Sequence, residues 1–306
     1  MWLILAFCSA ALLGFYDVCK KYSLADNAVI PVLLCNTLFC SLIFLPFVLA
    51  SASGILSAES QFFVPQAGGH SHLLIFLKAV IVLSSWIFGY FGIKHLPLTI
   101  VGPINATRPV MVLVGAVLVF GERLNLWQWA GVFVAILSFF LLSRSGKKEG
   151  IRFSHNLWIG CIILAAVLGA VSGLYDKYLL APVDAGGAGL NRILVQSWYN
   201  VYQFVLMLII LLVLWLPRRK QETPFRWKWG IVLISIFLSM ADFLYFYALS
   251  MPDAMISIVS MVRRGSVVVS FGMGAFIFRE KNLKAKALDL ALVVLSMILL
   301  WIGTAG

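Results

Sequence analysis

The chain has 306 residues, 62% of them hydrophobic and 11% charged, with a mean hydropathy of +1.01. Soluble domains hold about 45–50% apolar and about 25% charged residues, so a water-soluble fold of this composition would expose apolar surface on a scale that aggregates. The net charge of +11 does not point to nucleic acid either, because most of the cations gather in short loops between apolar runs, as topology signals do.

About 20 apolar residues cross a hydrocarbon core of about 30 Å, and ten runs fit that template: residues 2 to 24, 29 to 50, 72 to 92, 97 to 120, 126 to 143, 157 to 180, 192 to 216, 229 to 250, 254 to 278 and 287 to 303. The runs are unbroken rather than alternating, so helices are predicted and a barrel is not. The start, Met1-Trp2-Leu3-Ile4-Leu5, lacks a basic leader and continues too far for a signal segment, so it reads as the first span. Trp2, Trp127, Trp129, Trp158, Trp215, Trp227, Trp229 and Trp301 fall near span ends, where an amphipathic ring sits best, whereas Trp86 and Trp198 lie deeper. Those two are either core packing or cavity walls.

Residues 51 to 71 form the longest polar stretch, and His70 and His72 at its end read as loop residues rather than as a metal site. Cys8, Cys19, Cys35, Cys40 and Cys161 all lie in apolar runs without Cys-x-x-Cys spacing and are expected as buried hydrophobes. The loops after spans five, seven and nine carry Arg144, Lys147, Lys148, Arg152; Arg218, Arg219, Lys220, Arg226, Lys228; and Arg279, Lys281, Lys284, Lys286, which is 13 of the 23 cations on one face. Positive residues stay in the cytoplasm, so both termini are predicted outside it.

The chain repeats itself. Gly14-Phe15-Tyr16-Asp17 returns as Gly173-Leu174-Tyr175-Asp176 at an offset of 159, Phe120-Gly121-Glu122-Arg123 returns as Phe278-Arg279-Glu280-Lys281 at 158, and Pro97 returns as Pro252 at 155. The charged segment 147–156 divides a five-span unit, 1–146, from a second, 157–306. An odd number of spans inverts the second copy, which predicts two inverted repeats with a binding site at their interface near mid-membrane.

With ten spans in two halves and a Gly-Glu-Arg-Leu element (Gly121, Glu122, Arg123, Leu124) after the fourth span, the chain resembles the drug/metabolite transporter superfamily, EamA-type, over its whole length. The resemblance implies an integral multi-pass protein, most simply of a bacterial inner membrane. It also implies a central cavity lined by spans one to four and six to nine, with spans five and ten packed outside. The predicted placement of the termini is the reverse of that in many members.

Ionisable residues inside a bilayer face partners or wet cavities. At about 1.5 Å per residue, Arg108 lies about 16 Å into span four, and Arg263 and Arg264 about 14 to 15 Å into span nine. Arginines at repeat-related depths suit an anion, through paired charge-assisted hydrogen bonds; similar basic residues in span nine occur in the sugar-phosphate branch of the superfamily. Alternatively Asp17, Asp176 or Asp242 neutralises them, and these three carboxylates are also the candidates for proton or charge coupling. Tyr16, Tyr90, Tyr175, Tyr199, Trp86, Asn105 and Gln196 complete the expected substrate-binding set. Small multidrug exporters of the superfamily carry a membrane-embedded glutamate in the first span, and this chain has none there.

No nucleotide-binding loop, zinc-protease motif or serine-nucleophile elbow occurs, so the chain reads as no enzyme, with no cofactor and no metal, and energy must come from a gradient or exchange. The expectation is a secondary transporter of a small anionic or zwitterionic metabolite. The open alternatives are an exporter of drugs or cationic compounds, and a channel or receptor. The expected partners are a small-molecule substrate and the bilayer, not nucleic acid, with monomer and homodimer both open.

Overall fold

The structure, a computed structural model, describes residues 1–95, 104, 107–144, 157–220, 223–266, 268–269, 273 and 283–305. Among the described residues it is all helical, without strands, as a chain must be when most of its backbone lies where no water can satisfy it. Ten α-helices are described: α1 (Trp2–Leu24), α2 (Val29–Ala52), α3 (Gly69–His95), α4 (Arg108–Phe120), α5 (Leu126–Arg144), α6 (Leu157–Leu180), α7 (Arg192–Ile210), α8 (Gly230–Leu249), α9 (Ile256–Arg264) and α10 (Leu283–Ala305). Six stretches, in α1, α2, α3, α6, α7 and α8, are long and apolar enough to cross a membrane among the described residues, and Arg108–Phe120, Leu126–Ser138 and Ala291–Gly303 are shorter apolar helices. The early part of the fourth expected span and the later part of the ninth lie largely outside the described residues, as do Asn105, Arg279, Glu280 and Lys281.

The helix ends follow local chemistry. Between α1 and α2, Asp26 adopts a left-handed φ of 53°, and Asn27 accepts from the Arg226 N–H at 2.8 Å while its amide donates to the Arg226 carbonyl at 2.7 Å. Asn191 caps α7 by accepting from the Ile193 and Leu194 N–H groups. Asn125 and Gln128 exchange side-chain and backbone hydrogen bonds at 2.9 Å, a reciprocal cap that starts α5. Gly121, at φ +63°, ends α4 in the left-handed conformation that glycine adopts without steric cost.

Packing of these helices surrounds a central space. α1 lies against α8 and α9, α6 against α3 and α4, α2 against α7 and α8, α3 against α7, α4 against α9, and α5 against α10. Outward faces carry exposed apolar side chains such as Leu118, Val119, Phe133 and Val213, the surface a hydrocarbon solvent requires. Two expectations are corrected. His70 and His72 belong to the first turn of α3, and the His72 Nδ1 lies 2.9 Å from the Tyr202 hydroxyl, with its ring edge-on to Trp198. Of the cysteines only Cys40 is buried, and Cys8 is exposed, because an apolar side chain in a membrane protein is as stable against lipid as in the core.

Candidate functional site

The central space is a cavity of about 420 Å³ between α1, α3, α4, α6, α7, α8 and α9. Tyr16, Trp86, Tyr199, Tyr245 and Phe246 supply aromatic wall, and Ser85, Ser172 and Ser260 add hydroxyls. Five basic residues, Lys20, Lys78, Arg108, Arg263 and Arg264, face it with three carboxylates, Asp17, Asp176 and Asp242, an excess of two positive charges among the described lining residues. Fields between charges in such a low-dielectric recess are much stronger than in water.

Each carboxylate has its cation. Asp242 accepts from the Arg263 Nη2 at 2.8 Å, and the same guanidinium lies 3.9 Å over the Tyr245 ring. Asp176, buried, forms an ion pair with Lys78 and accepts from the Tyr245 hydroxyl at 3.2 Å. The Lys78 ammonium also sits 4.4 Å over the Tyr199 ring and 5.0 Å over that of Phe246, contacts that favour a desolvated cation. Asp17 lies within electrostatic reach of Lys20 and Arg264.

Arg108 is different. Among the described residues it meets no carboxylate: its Nη2 donates to the Ala165 carbonyl at 3.0 Å, and it lies within electrostatic reach of the like-charged Arg264. A Cβ on Gly169 would stand 2.3 Å from the Arg108 Cζ, so the guanidinium lies directly on the α6 backbone where a side chain is missing. A Cβ on Gly173, one turn further, would meet the Val112 Cγ2 at an ordinary 3.7 Å, so Gly169 is the glycine that the Arg108 side chain requires.

The expected site residues separate clearly. Arg108, Arg263, Arg264, Asp17, Asp176, Asp242, Tyr16, Trp86 and Tyr199 come together on the cavity wall. Tyr175 does not: one position from Asp176 it is turned about 100° around the helix, donates to the Leu74 carbonyl at 3.1 Å and stacks on Tyr178. Gln196 is 1% exposed and donates to the Ser239 carbonyl at 2.9 Å, holding α7 to α8 rather than facing the cavity. Trp198 packs on His72 and Tyr202. Asn105 and the side chain of Tyr90 lie outside the described residues.

Lys20, Tyr245 and Phe246 line the cavity without belonging to the expected set, and two further residues stand outside it. Lys78 is one, and its signal, an ionisable group inside an apolar run, is the same as that of Arg108. The other role belongs to Glu122, whose Oε1 accepts from the Ile256 N–H at 2.7 Å and whose Oε2 accepts from the N–H and hydroxyl of Ser257. It thereby caps the start of α9 from the end of α4, next to Lys177, which donates to the Ala254 carbonyl. No group of three or more His, Cys, Asp or Glu suited to a metal occurs among the described residues.

A bundle of apolar helices around a charged, aromatic-walled recess defines the class of multi-pass membrane transporters. Residues 1–144 match the EamA-like transporter family. An uncharacterized transporter in the cobO 3′ region of Sinorhizobium sp is 29% identical over 132 residues, covering 43% of this chain and 88% of the relative. A solved crystal structure aligns with 97% of the chain and 95% of its own length at a TM-score of 0.70 and 15% identity, a likeness of fold alone.

Proposed function

We propose that the protein is a secondary transporter that moves a small anionic or zwitterionic metabolite by alternating access of two inverted five-helix units, 1–146 and 157–306. The helix packing supports the two-unit reading, because each of the most extensive contacts has a counterpart when α1–α5 are exchanged for α6–α10. The contact of α1 with α8 and α9 answers that of α6 with α3 and α4, the α2–α8 contact answers α7–α3, and α2–α7, α4–α9 and α5–α10 answer themselves. Repeat-related helices around a mid-membrane site are the usual frame of such carriers.

The observation that carries the substrate class is Arg108. A half-buried guanidinium that meets no carboxylate among the described residues is costly, and it is retained where a ligand supplies that charge. The neighbouring pairs Arg263–Asp242 and Lys78–Asp176 fix the cavity's shape and offer polar atoms of both signs, which suits a carboxylate carrying an amino or hydroxyl group. The aromatic wall covers an apolar body. The orientation read from the basic loops places both termini outside the cytoplasm.

The test is a thermal-shift screen of the purified protein against amino acids, mono- and dicarboxylates, phosphorylated acids and organic cations, followed by uptake of any hit into proteoliposomes. A ligand at a hundredfold excess over its Kd adds about 2.7 kcal/mol of stability. Acidic compounds should stabilise the wild type and not Arg108→Ala. Stabilisation by cationic compounds alone rejects the anion reading and favours an exporter of cations, and flux without saturation or counterflow favours a channel.

A further inference from the structure

The two halves hold their equivalent charges in different arrangements. Arg108 and Arg264 are repeat-related, at an offset of 156, as are Asp176 and Asp17, at 159. On the second-half arginine the charge is met: Arg264 lies within electrostatic reach of Asp17 on α1. On the first-half arginine it is not, because Asp176 is held by Lys78 and Tyr245, and Arg108 is turned the other way along α6, to the Ala165 carbonyl. α4 and α6 run in the same direction, Arg108 lying over Gly169 and Val112 over Gly173. Asp176 therefore stands two turns beyond the level of Gly169, about 10 Å along the axis. An aspartate leaning toward the N-terminal end of α6, as helical side chains do, can be met across that distance by a long arginine side chain that turns from the Ala165 carbonyl toward the C-terminal end of α6.

Resting on the inverted-repeat reading above, we infer that Asp176 is a positioning residue of the transport cycle that exchanges partners, Lys78 in this state and Arg108 in the opposite-facing one. Inverted repeats change state by each taking the conformation the other held, so the electrostatic pairing of Arg264 with Asp17, carried on the touching helices α9 and α1, passes to Arg108 and Asp176. Here Arg108 is left for cargo. In the other state Asp176 competes with the cargo for the same guanidinium, and the cargo leaves. Lys78, released from Asp176, keeps its place over the faces of Tyr199 and Phe246. The open cation passes from Arg108 to Arg264, so each face of the membrane sees one unpaired arginine in turn.

The exchange is tested without any ligand. Spin labels at Leu126→Cys and Asp253→Cys, both exposed and flanking the contact of Glu122 with α9, are placed in the full chain with its five native cysteines replaced, and their separation is measured by dipolar spectroscopy. The distance distribution reports whether that end is closed, as here, or open. Lys78→Met leaves Asp176 unpaired in this state only and should raise the open population on the order of tenfold. Arg108→Gln removes the partner that Asp176 takes in the opposite state only and should reduce the open population by a similar factor, whereas Asp176→Asn removes a pair from both states and should leave the population nearly unchanged. A merely structural Lys78–Asp176 pair predicts no closing shift for Arg108→Gln, and that result overturns the exchange. If Lys78→Met does not fold, Arg108→Gln decides alone: a closing shift supports the exchange, and an unchanged or more open distribution overturns it. An anion screen that fails while these opposite shifts are seen rejects the substrate reading and leaves the exchange standing.

Discussion

Arg108 and Gly169 are in direct contact across α4 and α6, with the guanidinium occupying the space where a Cβ would stand 2.3 Å from its Cζ. The clash falls on the far end of a flexible side chain, so Gly169→Ala should fold and displace the guanidinium from the Ala165 carbonyl. An anion held by Arg108 should then bind about tenfold more weakly, the value of one charge-assisted hydrogen bond of about 1.4 kcal/mol. Isothermal titration with the acidic hit of the screen measures this, and an unchanged Kd removes Arg108 from the site.

Glu122 joins the two halves by accepting from two backbone N–H groups and a hydroxyl at the start of α9. Glu122→Ala leaves those donors without a partner and should cost about 1–2 kcal/mol of stability. Glu122→Gln keeps an acceptor oxygen but loses the charge that complements the helix N-terminus, and should cost about half as much. Thermal unfolding in detergent orders the three proteins, and equal stability of all three would show the cap to be energetically idle.

Removing one member of the Arg263–Asp242 pair leaves its partner charged at the cavity wall. Arg263→Met and Asp242→Asn should each destabilise by roughly 3 kcal/mol, while the double variant should recover most of the loss because no lone charge remains. A double variant as unstable as the sum of the singles would mean that the two residues act separately.

The helices were largely legible in the sequence because each is an unbroken apolar run, and the boundaries of α1 and α6 fall where the hydropathy places them. The cavity cations were legible for the same reason: Arg108, Arg263 and Arg264 interrupt runs that otherwise belong to lipid. The pairing was not. That Asp176 is held by Lys78 rather than by an arginine depends on α3 crossing α6, a long-range contact that no local spacing encodes. Tyr175 and Tyr199 looked equivalent along the chain, yet one packs behind α6 and the other lies beneath Lys78, a difference of rotation about the helix axis. Glu122 was visible as a repeated element, but its role as a cap required the turn at Gly121 and the start of α9 to be brought together.

Gly14, the repeat counterpart of Gly173, marks the crossing of α1 and the segment after α9. A Cβ there would lie 2.4 Å from the Val269 Cβ and 2.9 Å from the Ser266 carbonyl oxygen, and unlike the clash at Gly169 this one meets backbone and a branched Cβ that cannot turn away. Gly14→Ala should therefore push the two helices apart. Overpacking of this kind costs about 1–3 kcal/mol. Gly173→Ala meets only Val112 at 3.7 Å and should be tolerated. If the repeats exchange conformations during transport, the tight crossing moves to Gly173 in the opposite state, and Gly173→Ala should slow turnover while leaving the stability of this state unchanged. Thermal unfolding and uptake rates measured on both variants separate the two effects. Loss of stability in Gly173→Ala equal to that in Gly14→Ala would mean that the two crossings are equally tight in the resting protein.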